Sequence, residues 1–301
     1  MANGMPPLSM DNRMKSLREI LLVCTAMLAV FILSAFSAQD PEESKGRIAW
    51  NHKLSDALSQ ASSGDKLIIV DVVADWCGWC RQMETQTWTN SKVVQLTQQY
   101  VFLRLNGEKE RDGIELAERF QVDGYPTVML LNADGTEFDR FEGFMSADRF
   151  LNRLNASLVN PQTLGNLTAQ EKKNGSDLSL RYKVGQALFR RNAFKDAQLR
   201  FENIAAQDPH NKSHLVESSL LMLALCQASQ DNFADSLATV ERFQKSFPES
   251  EKLPEASLLS IDLLMRSGSR DQARAKAQDF LKTYPNHKLA MTAKRLLSEI
   301  E

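Results

Sequence analysis

Residues 71 to 80 read Asp71-Val72-Val73-Ala74-Asp75-Trp76-Cys77-Gly78-Trp79-Cys80, and the rest of the first half of the chain can be read outward from them. With Leu67-Ile68-Ile69-Val70 in front, the apolar, β-branched run over 67–73 predicts a buried strand that carries a carboxylate, Asp71, near its end. Two cysteines three positions apart at the opening of the next helix put their sulfurs within bridging reach. The unsatisfied amides of a helix start favour the first of them as an anion. Upstream, the spacing of Leu54, Ala57, Leu58 and Ala61 predicts a helix over 53–63 that stops at Gly64-Asp65. Downstream, helices are expected from the cysteines to about Trp88, over 91–100 and over 113–120, with strands over 101–105 and 127–131. The turn Asn132-Ala133-Asp134-Gly135 leads to an edge strand over 138–141, and an amphipathic helix over 147–158 closes the unit. Strands alternating with helices make this an α/β sandwich.

The chemistry that suits this spacing is thiol-disulfide exchange. A Cys77 thiolate attacks a disulfide to form a mixed disulfide, and Cys80 then attacks Cys77 to release the reduced substrate. Competing uses of the pair lack partners. The histidines are His52, His210, His214 and His287, with no second ligand pair near the cysteines, so no metal is expected; Arg81 stands where haem attachment would need histidine. Trp76 and Trp79 flank the thiols with the aromatic surface that a peptide-binding rim needs, although packing alone would also account for them. Cys226 lies in the apolar run Leu220-Leu221-Met222-Leu223-Ala224-Leu225-Cys226 and reads as a small core residue. The charged stretch Glu108 to Asp112 reads as a solvated loop.

The segment from Asp71 to Cys80 resembles the active-site segment of the thioredoxin family, and the best match is to exported members such as the C-terminal domains of membrane thiol:disulfide interchange proteins. That likeness implies a thioredoxin-like fold in which Asp71 is the buried acid that accepts the proton of Cys80. A carboxylate at the end of an apolar strand has its charged form disfavoured, which suits the role. The likeness extends to Gly124-Tyr125-Pro126-Thr127, which matches the family's cis-proline loop and implies that Tyr125, Pro126 and Thr127 dock an extended substrate strand beside Trp76 and Trp79. Arg104 and Gly143 match more weakly, at a basic residue near the acid and a glycine near the active-site surface. Trp79 replaces the proline found between the cysteines of cytosolic thioredoxins. No cofactor beyond the Cys77-Cys80 disulfide is implied.

At 301 residues the chain is long enough for more than one domain. Lys and Arg number 36 against 38 for Asp and Glu, a balance that offers nothing to a nucleic acid. Arg13, Lys15 and Arg18 precede an apolar stretch from Ile20 to Phe36, followed by Asp40, Glu42 and Glu43. This order reads as a signal peptide or membrane anchor over 1–38, placing the bulk of the chain outside the cytoplasm, in the periplasm or cell envelope. Residues 39–47 read as a tether, 48–158 as the first domain and 159–178, polar with Pro161, Gly165 and Gly175, as a linker.

From 179 to 301 the pattern becomes helical only, and one spacing recurs three times: Ala197, Phe201, Ile204, Pro209; Ser236, Val240, Phe243, Pro248; Ala273, Ala277, Phe280, Pro285. A small residue lets one helix approach another, apolar residues four and seven positions later keep to the same face, and proline stops the helix. The region resembles tetratricopeptide repeats, with Gly185 and Gly268 at positions where that family favours small residues, and with 288–300 as a capping helix packed through Met291, Leu296 and Leu297. The expected architecture is therefore an α/β thioredoxin-like sandwich followed by an all-α tetratricopeptide-like helical-repeat domain. The expected function is extracytoplasmic thiol-disulfide exchange that reduces or isomerises disulfides of exported proteins, fed by a membrane electron donor, with the repeats selecting clients or binding a protein or peptide partner. The other function open to such a chain is a non-catalytic scaffold or chaperone for envelope assembly that uses the thioredoxin-like part for docking.

Overall fold

The computed structural model describes residues 46–300. The signal or anchor reading of 1–38 and most of the 39–47 tether lie outside the described residues. Among those described, no helix is long and apolar enough to cross a membrane.

The first half contains α1 (Leu54–Gly64), β1 (Ile68–Val73), α2 (Gly78–Gln86), α3 (Ser91–Val94) with a 3₁₀ turn (Gln95–Gln98), β2 (Val101–Asn106), α4 (Arg111–Phe120), β3 (Thr127–Leu131), β4 (Glu137–Glu142) and α5 (Ala147–Val159). The strands form one mixed sheet in the order β2-β1-β3-β4. Strand β1 runs parallel to β2 and antiparallel to β3, and β4 is antiparallel to β3. Asn51 bridges to Leu103 and covers part of the outer edge of β2, which removes unpaired backbone groups from solvent.

Alternation along the strands sorts the two faces. Ile68, Val70 and Val72 join Leu103, Leu105, Met129 and Leu131 in a core closed by Ala57 and Ala61 of α1 and Leu116 of α4. On the other face Trp50, Trp88, Phe102, Phe141 and Phe150 stack mostly edge to face, with ring centroids 5.1–6.4 Å apart. Asp71 and its register partner Arg104 share this aromatic side, with the Arg104 guanidinium 4.1 Å from the Trp50 ring centre. The sequence pattern of 68–73 thus puts a carboxylate into a core by the same two-residue period that buries its neighbours.

The second half stacks three helical hairpins: α7 (Leu178–Phe189) with α8 (Phe194–Gln207), α9 (Val216–Ser229) with α10 (Phe233–Ser246), and α11 (Leu253–Arg266) with α12 (Arg270–Thr283), followed by α13 (Ala290–Ile300). The repeated small and apolar residues are the seams. Ala197, Phe201 and Ile204, then Ser236, Val240 and Phe243, then Ala273, Ala277 and Phe280 are all buried. A Cβ on Gly185 would lie 2.8 Å from the Phe201 ring, so α7 can approach α8 only with glycine there. Gly268 plays a different part: it is in the hairpin turn at φ +81°, equivalent to Asn192 (φ 58°) and Asp231 (φ 59°), where each turn passes through the left-handed region. Met291 is 75 % exposed rather than packed back, and Ala290, Ala293, Leu296 and Ile300 seal the end of the stack instead.

The stretch expected as a linker holds a helix, α6 (Leu164–Lys173). Leu164 and Leu167 lie one turn apart and are buried in the same cluster as the first hairpins, which is a stronger pull than the polar composition of the segment suggests. Gly165 permits this: a Cβ would fall 2.0 Å from the Phe138 ring of β4. The contact is reinforced by Arg191, at the end of the first hairpin's opening helix, which donates to Glu137 at 2.8 Å and to Asp139 at 3.0 Å, both on β4.

Candidate active site

Cys77 is the N-cap of α2, and its sulfur accepts a hydrogen bond from the Cys80 amide at 3.0 Å. This contact and the local helix dipole both favour negative charge on Cys77. In the structure the two cysteines form a disulfide, with Cα atoms 5.3 Å apart. The chain therefore carries its redox centre in its own side chains, and the two sulfurs expected to act together do lie together.

Asp71 is buried, and burial pushes its carboxyl up to about 6; the Arg104 guanidinium opposes that shift. Arg104 donates from Nε to Asp71 Oδ2 at 3.0 Å and also pairs with Glu84 of α2. Asp71 Oδ1 has no hydrogen-bond partner among the described residues. Burial thus moves this carboxyl toward neutral pH, and its second oxygen shares the buried aromatic side with the Trp88 indole N–H, which is likewise without a partner at hydrogen-bond distance among the described residues.

The loop across from the cysteines holds a cis Tyr125–Pro126 bond. It is braced on both sides: Thr127 Oγ1 donates to Gly124 O at 2.8 Å, and the Gly143 amide donates to Pro126 O at 2.9 Å, with Gly143 at φ +78°. Thr127 is itself buried and spends its hydroxyl on this brace, so its side chain shapes the loop rather than facing outward. Tyr125 packs against the cluster of Ala74, Cys77 and Cys80. Trp76 and Trp79 are 67 % and 59 % exposed; Trp76 stands edge-on to Tyr125 at 6.0 Å, and Trp79 lies beside Phe144 at 5.7 Å. The rim is thus made by four rings, of which Phe144 had no sequence signal beyond being an aromatic next to Gly143.

The charged loop after β2 is not merely solvated. Glu108 accepts from Trp76 Nε1 at 2.9 Å, Asn106 donates to Asp75 at 2.6 Å, and Lys109 pairs with the same Asp75. Asp112 accepts from the Leu54 amide at 2.8 Å at the start of α1. These contacts join residues more than thirty positions apart, which no local pattern reveals.

Residues 54–158 match the thioredoxin-like domain family, and residues 218–250 match a tetratricopeptide repeat family. The thiol:disulfide interchange protein DsbD of Actinobacillus pleuropneumoniae serotype 5b is 37 % identical over 100 residues, which is 32 % of this chain and 17 % of that protein. DsbD of Salmonella typhimurium is 33 % identical over 141 residues, 44 % of this chain and 24 % of that one. The chain thus spans less than a quarter of the length of these relatives. Among solved structures, a thioredoxin from Thermus thermophilus is 24 % identical, covers 42 % of this chain and 95 % of its own, and has a TM-score of 0.35. The oxidised C-terminal domain of DsbD from Neisseria meningitidis is 22 % identical, covers 34 % of this chain and 90 % of its own, and has a TM-score of 0.31.

Proposed function

Because the chain carries a thioredoxin-like domain joined to tetratricopeptide-type repeats, we propose that it is an extracytoplasmic thiol-disulfide oxidoreductase that reduces disulfides of exported proteins. The observation that carries this reading is the Cys77–Cys80 disulfide at the start of α2, preceded by a strand that buries Asp71. In the reduced enzyme the Cys77 thiolate attacks one sulfur of a client disulfide, and the other client sulfur leaves as a thiolate. Cys80 gives its proton to Asp71 and attacks Cys77 Sγ. The client leaves as a dithiol, and the Cys77–Cys80 bond re-forms with two electrons spent. A donor must return those electrons, and a membrane protein is the natural source for a domain outside the cytoplasm. The cationic, apolar and then acidic order of 13–43 supports that location.

Within this proposal the repeats bind a protein partner or help select clients, as stacked helical hairpins present extended surfaces for binding. An insulin-reduction assay with dithiothreitol as electron source tests the catalytic part. Cys77→Ser is expected to fall to the uncatalysed rate, and activity equal to the wild type would overturn the reading in favour of a docking scaffold.

A further inference from the structure

The Cys77–Cys80 disulfide opens a surface helix between two exposed tryptophans, yet Cys77 is only 2 % exposed and Cys80 9 %. Tyr125 and Val73 are the partly buried side chains packed on the sulfur cluster. Val73 belongs to the end of β1 and is fixed by strand pairing with β2. Tyr125 sits on a loop and projects a ring, so it is the part of the cover able to swing away.

Three contacts hold that ring in place. Its backbone loop is braced by the Thr127 hydroxyl and the Gly143 amide. Its flank meets the Trp76 ring at 74° between planes, and Trp76 is in turn anchored by its indole N–H on Glu108. Its hydroxyl end occupies the notch at Gly107, where an added Cβ would fall 2.6 Å from the phenol oxygen and 2.9 Å from Cε1. Gly107 is buried and lies directly after β2, so the notch is a backbone feature at the lip of the site. Burial, followed by the nearby Glu108 charge, raises the Tyr125 phenol above its ordinary range.

We infer that Tyr125 is an access-determining residue: its ring, seated in the Gly107 notch, caps the Cys77–Cys80 disulfide and screens it from small thiols. A polypeptide that engages Trp76, Trp79 and Phe144 supplies apolar contacts that replace those the ring loses on swinging out. A small thiol has no such contacts to offer. Discrimination between the two classes of reactant therefore comes from the cap and not from the sulfur chemistry. This rests on the oxidoreductase reading, since it concerns which thiols reach the same disulfide.

The test uses the oxidised full-length chain and dithiothreitol as the probe. One thiolate of the reagent attacks Cys77 Sγ, breaking its bond to Cys80, which leaves as a thiolate and takes up a proton. The reagent's second thiolate then closes a cyclic disulfide and releases Cys77, so two electrons pass to the protein. The second-order rate, followed by tryptophan fluorescence, is expected to rise at least about fivefold in Tyr125→Ala because the sulfur becomes accessible. Gly107→Ala is expected to raise it in the same direction by pushing the ring from its notch. Tyr125→Phe retains the ring and is expected to stay within about twofold of the wild type. Single-turnover reduction of insulin by the same variants, reduced beforehand and freed of dithiothreitol, is expected not to rise, so the ratio of small-thiol to protein rates increases. Equal dithiothreitol rates for wild type and Tyr125→Ala would overturn the inference, even if Gly107→Ala failed to fold. So would a Tyr125→Phe rate as high as that of Tyr125→Ala. A wild type inactive on insulin would instead overturn the oxidoreductase reading, whatever the dithiothreitol rates.

Discussion

Strand β1 and helix α10 are both lined with buried side chains, but they treat polar groups differently. In the repeats, the buried Ser236, which stands at the position of Ala197, donates its hydroxyl to Ala224 O at 2.8 Å, so burial leaves it satisfied. In β1, Asp71 is equally buried and keeps one oxygen unpaired, with its carboxyl pushed up to about 6. The repeats also keep the same left-handed turn position in every hairpin and a small residue, Ala197, Ser236 or Ala273, at every seam. Unpaired buried atoms also occur at Ser219 and Glu255 in the repeats, but the one at Asp71 stands on the strand that leads into the cysteines and belongs to a carboxyl shifted toward neutral pH, which marks that strand as part of the site.

Three experiments sharpen or break this contrast. The largest effect is expected in the repeats. Phe243 is fully buried at a repeat seam, and Phe243→Ala is expected to cost about 3–5 kcal/mol of unfolding free energy, through lost transfer energy and the cavity left behind. Dithiothreitol reduction of the Cys77–Cys80 disulfide by this variant, measured well below its denaturation midpoint, is expected to stay at the wild-type rate. A rate that fell in step with stability would show that the packing of α6 and Arg191 on β4 couples the site to the repeats.

The next effect has the opposite sign. A carboxyl raised from 3.8 to about 6 by folding binds its proton more tightly in the native state. Stability therefore does not suffer below 3.8 and is lost as pH rises through about 6. The full penalty of a two-unit shift is about 3 kcal/mol. Asp71→Asn removes it, while Arg104 keeps Glu84 as a partner. Chemical denaturation is expected to show the variant more stable than the wild type at pH 8, by up to about 3 kcal/mol, with the difference closing toward pH 4. An unchanged difference at the two pH values would show that Asp71 is not strained by burial.

The smallest effect belongs to the other buried thiol. Cys226 is fully buried in α9, and burial, followed by the charge of Glu202, pushes its thiol up to about 12. Native protein is expected to resist alkylation at Cys226 at pH 8, and Cys226→Ala is expected to cost about 1 kcal/mol while leaving insulin reduction unchanged. Rapid labelling of Cys226 in the folded chain would erase the distinction between a sulfur used for packing and one used for chemistry.

Much of this organisation is visible in local patterns. The continuous apolar, β-branched run over 67–73 placed Asp71 in a buried strand, the three-residue spacing of the cysteines placed both on one helix start, and the recurrence of the spacing of Ala197, Phe201, Ile204 and Pro209 announced the hairpins. The helix over Leu164–Lys173 was hidden because its polar composition resembles a linker; only two leucines and a glycine tie it to its neighbours. Gly185 and Gly268 look alike in sequence, but one admits a phenylalanine ring while the other supplies a turn. The loop at Glu108 looked solvated because its partners, Asp75 and Trp76, are distant in the chain.

By itself, then, the order of residues determined the elements, the repeated seams and the pairing of Cys77 with Cys80, because each depends on side chains within a few turns or strand positions of one another. Tertiary structure alone decided how reachable those sulfurs are. Tyr125 fits over them only because a glycine, Gly107, directly follows β2, and because Glu108 holds Trp76 against the ring. Exposure is a property of surfaces brought together from separate elements, and a spacing rule along one strand or helix carries no information about it.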